Sequence, residues 1–349
     1  LEPPARVQVL ASTASSFRMS IAQNAKSAVL YDRLQQVTGW QSDVDARWLA
    51  LVGLEALGTP SPDQRQVLES GRAQLKGPAR LRLDESSRGA IRGNVRGALI
   101  DLWRTIAPAV QVATGVDAGK LGFVRGDRVP MKKLTDKYEP LVTALACFGV
   151  EHVDLYISAA RSGIARVLAA EPPILCVGAD VAAAQTSQQR WQLGRAIAIL
   201  AEGLATLPDL RDTELGWTIV AALRAADAAV PSGLADEVAG EDLSIADRAK
   251  VLKKELSRRA KAALVQLAQT RGAELGDIAR FRQEALAVTH RAGLLWSGDL
   301  AIALAQLDVG KGGKSLIDSA SALELTAWSV SSDHARLRAL LGVALGGMR

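Results

Sequence analysis

Between Val153 and Leu207 the hydrophobic pattern changes period. Residues Val153 to Ser158 read Val-Asp-Leu-Tyr-Ile-Ser, and Ile174 to Gly178 read Ile-Leu-Cys-Val-Gly. Both are short, rich in β-branched and apolar residues, and predict strands. A connection punctuated by Gly163, Pro172 and Pro173 joins them. From about Ser187 to Ala205 the spacing becomes helical, and this long apolar helix is the stretch around which the rest of the chain is expected to pack.

Elsewhere the period is mostly helical. Residues 1–18 are polar, open with prolines, and predict a linker. Ile21, Ala25, Ala28, Val29, Tyr31 and Leu34 follow a helical face, so a helix is predicted from Ile21 to Val37 with Gly39 closing it. Ala46 to Leu57, with Trp48, Leu51, Val52 and Ala56 on one face and Gly58 as its stop, predicts the antiparallel partner. Residues 19–58 thus read as a helical hairpin that cannot cover its own apolar face and should pack on the segment C-terminal to it. After the break at Thr59 to Pro62, helices are predicted at Asp63–Leu75, Glu85–Arg96, Ala98–Val112 and Leu134–Phe148, making 59–150 a helical segment. Beyond the central helix come Thr213–Ala229, a long helix Ser244–Thr270, Leu275–Ser297 and Asp299–Leu307, then a Gly/Lys loop at 308–314 and two terminal helices, 316–330 and Asp333–Leu345. The expected class is mainly α with a small β-sheet, an α+β fold whose central unit spans 151–310 and whose terminal helices occupy 311–349.

Composition sharpens this picture in two ways. Hydrophobic residues make up 48% of the 349 but aromatics only 4%, so Ala, Leu and Val must fill the core, which favours helix. The formal charge of +5 arises from 42 basic and 37 acidic residues, too mild an excess for a dedicated nucleic-acid binder. Cys147 and Cys176 sit in apolar contexts and read as small buried hydrophobes rather than a disulfide. Apolar runs are interrupted before reaching the roughly 20 residues a bilayer span needs. No signal peptide opens the sequence, and it begins with Leu-Glu-Pro-Pro rather than Met, so a segment of a longer cytoplasmic polypeptide is expected.

Two strands followed by a long helix is also the order found around the zinc site of zincin metallopeptidases, where the helix carries HExxH. Laid on that pattern, Arg195 stands at the first ligand, Ala196 at the general base and Ile199 at the second ligand. None is a zinc donor in its usual role. The sequence has three histidines, His152, His290 and His334, with no pair at the i,i+4 spacing. No cofactor is expected. Four passages carry a wider resemblance: Gly119 to Arg128; Val153 to Ile157 with Pro172 to Asp180; Leu193 to Leu200; and Arg291 to Leu300 with Ser332 to Arg338. Together they resemble the C-terminal region of large tetratricopeptide-repeat proteins of delta-proteobacteria, chiefly myxobacteria, in which a degenerate zincin-like domain follows helical repeats. The resemblance implies a non-catalytic, repeat-capping module that associates with other proteins or with itself. It brings no active-site residues with it, and the N-terminal hairpin departs from the tetratricopeptide consensus.

Three further features bear on function. Gly310 to Ser315 (Gly-Lys-Gly-Gly-Lys-Ser) ends like a phosphate-binding loop, but Asp308 stands where the first glycine belongs and the preceding segment is helical, so a flexible basic turn is expected. The 244–270 helix carries Arg248, Lys250, Lys253, Lys254, Arg258, Arg259 and Lys261, a solvated face or an alternative contact for a polyanion or nucleic acid, without aromatics for base stacking. His290 reads as a packed core residue, His334 as part of a helix cap, and His152 as bordering the first strand. Arg195, on an otherwise apolar helix, is costly to bury unpaired. It should either face solvent or pair with Glu214 or Asp227.

Overall fold

A computed structural model describes residues 3–58, 60–93, 95, 97–134, 136–307 and 319–346. The first three helices, α1 (Pro3–Gln23), α2 (Ala28–Trp40) and α3 (Val44–Leu57), pack in sequence against one another. Residues 3–18 are therefore helix and not linker. Their sequence is polar because most of α1 faces solvent, while Ala14 and Ile21 are buried and Arg18 Nε donates to Val330 O at 3.1 Å. The helix expected from Ile21 to Val37 is two helices: the chain turns at Asn24–Ser27, and the residues either side lie on different axes. Asp43 caps α3 by accepting from Ala46 N at 3.0 Å.

Next come α4 (Pro62–Ala73), α5 (Glu85–Arg92) and α6 (Ala98–Thr114). Strand β1 (Arg128–Val129), helix α7 (Glu139–Phe148), and strands β2 (Asp154–Ser158), β3 (Ala165–Leu168) and β4 (Ile174–Gly178) follow. The sheet order is β1-β2-β4-β3, with β2 and β4 parallel and the outer pairs antiparallel. The connection expected between the two strands thus contains a third, β3. Its sequence, Ala-Arg-Val-Leu, is too short to declare itself and becomes a strand by pairing with β4. Period-2 alternation divides the sheet: Leu155, Ile157, Leu175 and Val177 join the main core, while Cys176 and Leu168 meet Phe123 on the opposite face. The segment 116–123 covers that second face. Both cysteines are buried and unbonded, and burial pushes the Cys176 thiol up to about 12.

On the core side of the sheet lie α8 (Ala179–Ala183), which touches β2 and β4, and α9 (Ser187–Glu202), which crosses β3. Thr186 and Gln189 form a capping box at the start of α9. Then follow α10 (Asp212–Ala225), α11 (Ser232–Glu237), α12 (Asp242–Glu255) and α13 (Arg258–Arg271). The single helix expected over 244–270 is two. Leu256 turns to an extended backbone, and Ser257 starts the second helix by accepting from Ala260 N at 3.1 Å. The last helices are α14 (Ile278–Ser297), α15 (Leu300–Gln306), α16 (Ala320–Ser329) and α17 (Ser332–Leu340). The fold is mainly α with a small mixed sheet.

The axis of the core is the pair α9 and α14, held close by two glycines. A Cβ on Gly194 would lie 2.7 Å from Ala292 O and from Trp296 Cβ. One on Gly293 would lie 2.6 Å from Trp191 Cε3 and 2.8 Å from Arg195 Cγ. Two buried carboxylates tie remote segments to this core. Glu202, at the end of α9, accepts from Arg92 Nε at 2.7 Å and Arg104 Nη2 at 3.1 Å. Asp45 accepts from the fully buried Arg338 at 2.7 Å and from Leu345 N at 2.9 Å.

Candidate functional site

Strand β3 is the edge of the sheet. Gly178 N donates to Ile164 O at 2.8 Å, so the antiparallel alternation turns the N–H and C=O groups of Ala165 and Val167 away from β4. That free edge borders a cleft of about 310 Å³ whose other wall is α9. The turn before β3 is fixed from two sides. Asp180 accepts from Ser162 Oγ at 2.7 Å and from Gly163 N at 3.0 Å, and Gln192 Nε2 on α9 donates to Gly163 O at 3.2 Å. Across the mouth, Arg166 on β3 grips Asp209 through two bonds of 2.7 and 2.5 Å.

Arg195, Ala196 and Ile199 all line this cleft. The three positions that the zincin pattern assigns to ligand, base and ligand are thus brought together beneath the edge strand. Ala196 and Ile199 present hydrocarbon, and Arg195 presents a cation. Among the described residues, no group of three or more His, Cys, Asp or Glu side chains is placed to hold a metal ion.

Arg195 takes neither arrangement expected of it. Glu214 pairs with Arg211 at 3.0 Å, and Asp227 lies 3.6 Å from Lys253. Among the described residues Arg195 has no hydrogen bond or ion pair, and its Nε is sealed from solvent without a partner. Burial pulls the guanidinium below its usual value, opposed by the charge of Asp209. The guanidinium carbon sits 5.8 Å from the centre of the Trp191 ring, and Trp191 in turn stacks on His290 at 6.2 Å with 16° between planes. Trp191 Nε1 and His290 Nδ1 are also buried without partners, so three unsatisfied polar atoms gather behind one wall of the cleft. Burial, reinforced by the nearby Arg195 charge, holds His290 down to about 3. It is therefore a neutral core residue at pH 7, as its apolar surroundings predicted.

The other singled-out residues lie elsewhere. His334 is buried, its backbone N–H donates to the Ser331 cap at 3.2 Å, and its Nδ1 is 2.7 Å from Ser329 O. His152 is exposed. The basic residues of 244–270 are divided between α12 and α13. Arg248 turns inward to Thr218 and Glu214 O, Lys250 pairs with Asp247 at 3.0 Å, and Lys261 Nζ donates to Lys253 O at 2.7 Å. Lys254, Arg258 and Arg259 remain exposed around the break. The Gly310 to Ser315 turn lies outside the described residues. Sequence reasoning missed Arg166 and Asp209, 43 residues apart, because no local pattern links them.

No protein-family model, no curated protein and no solved structure matches this sequence. No helix among the described residues is long and apolar enough to cross a membrane.

Proposed function

We propose that this protein is a non-catalytic structural and protein-interaction module on a metallopeptidase-like frame, the C-terminal part of a larger helical-repeat scaffold in the cytoplasm. The observation that carries the reading is the convergence of Arg195, Ala196 and Ile199 in the cleft under the edge strand. The position a zinc-dependent hydrolase would use for ligands and base holds two aliphatic side chains and a guanidinium, which cannot supply an open metal position or an activated water. An interaction role is also supported by the layered helices α1 to α3, where Trp40, 63% exposed, stands beside the exposed Val44. Metal analysis of the purified protein together with a peptidase assay tests this. Sub-stoichiometric zinc and no turnover are expected, and one zinc per protein with peptide hydrolysis would overturn the reading.

A weaker reading, a polyanion-associated helical protein, draws on the exposed Lys254, Arg258 and Arg259 around the α12–α13 break. Binding of duplex DNA that weakens steeply with salt and is lost when these three are replaced by Ala would favour it. Absence of binding at low salt would remove it.

A further inference from the structure

We propose that the cleft between β3 and α9 binds a carboxylate, held by the Arg195 guanidinium. The inference rests on the non-catalytic reading of the cleft, since a metal there would compete for the same space.

Arg195 is a cation enclosed on its Nε side, with no acceptor for any of its N–H groups among the described residues. An enclosed charge left unpaired is strongly unfavourable, so a cleft that keeps one open has room for its counter-ion. The nearest carboxylate cannot serve. Asp209 is engaged by Arg166 through both oxygens, at 2.7 and 2.5 Å. Those two charges cancel, His290 behind the wall is neutral, and Gln192, Thr206 and Gln306 carry no charge. The cleft is left with a single positive charge.

That balance selects the ligand. One guanidinium fork matches the two oxygens of a carboxylate in a planar, bidentate geometry. A phosphate dianion would meet only one free cation and would face the Asp209 carboxylate at the mouth. The space of about 310 Å³ lies at the small end for ligand pockets and suits a small acid or the last residues of a peptide.

The site is also held in shape. The Arg195 stem lies over Gly293, where a Cβ would come within 2.8 Å of Arg195 Cγ, and the head rests on Trp191. With both stem and head packed, little side-chain freedom remains to be lost on binding.

Isothermal titration of the intact protein with N-acetyl-alanyl-leucine, its C-terminal amide and acetate tests the assignment. The acid is expected to bind at least about tenfold tighter than the amide, the loss of one charge-assisted bidentate contact. Arg195→Gln should bring acid and amide to equal, weak binding. Arg195→Lys, which keeps the charge and loses the fork, should fall between, and an unchanged urea midpoint in either variant excludes unfolding as the cause. Competition by acetate alone would assign free small acids as the source, whereas dependence on the peptide portion would assign the C-terminus of a polypeptide. Equal binding of acid and amide by the native protein, or binding by neither, would overturn the proposal while leaving the metal analysis and the non-catalytic reading intact. Acid binding abolished by a chelator would instead place a metal in the cleft and defeat both.

Discussion

The pair Asp45 and Arg338 offers the sharpest test of how the N- and C-terminal helices are joined. Arg338 is fully buried, and its Nε and Nη2 donate to Asp45 at 3.0 and 2.7 Å. Nη2 also reaches Val343 O at 3.1 Å, and the guanidinium lies 5.5 Å from the Trp48 ring centre. Leu345 N donates to the same carboxylate at 2.9 Å. Asp45→Ala would remove the acceptor for two guanidinium bonds and one backbone N–H while leaving a positive charge in the core. The expected destabilisation is about 3–5 kcal/mol, the range for breaking a buried ion pair by deleting one partner. Asp45→Leu combined with Arg338→Met removes both charges and should recover most of that loss, because the desolvation penalty disappears with them. The assay is urea unfolding followed by tryptophan fluorescence, comparing midpoints of native, single and double variants. A single variant within about 1 kcal/mol of native would refute the argument. So would a double variant as unstable as the single one, since packing rather than charge pairing would then be at stake.

Two further outcomes are expected. His290 and His334 are both held down to about 3 in the fold, each by desolvation first and a neighbouring arginine second, against about 6.5 when unfolded. Their neutral forms contribute stability that is fully present above pH ~6.5 and is lost as pH falls toward 3. At pH ~5 the slope should approach about 2.7 kcal/mol per pH unit for the two together, and urea midpoints flat between pH ~7 and ~5 would contradict it. Gly293→Ala places a methyl 2.6 Å from Trp191, so a loss of about 1–3 kcal/mol is expected despite the better helix propensity of Ala. Gly233→Ala, where a Cβ meets nothing within 4 Å, should be neutral or stabilising, and equal thermal midpoints for the two variants would count against close packing of α9 on α14.

Much of the core was legible from spacing alone. Leu155 and Ile157, Leu175 and Val177 announce their strands by alternation or β-branched content, and Thr186 with Gln189 marks the start of α9 by a local capping pattern. Burial of His290 followed from the apolar residues around it. The break at Ser257 was also present in the sequence as a capping serine, but the continuous basic pattern across it read as one helix.

The amino-acid order by itself determined which segments are helix or strand and which faces are apolar, because those properties depend on residues within a turn or two of each other. The tertiary structure alone decided that Ala165–Leu168 is an edge strand, that α1 is a helix anchored at Val330, and that Arg195 is left unpaired while Arg166 takes Asp209. Each of these depends on partners far apart in the sequence. Pairing, burial and the cancellation of charge are properties of neighbours in space, and local periodicity carries no record of them.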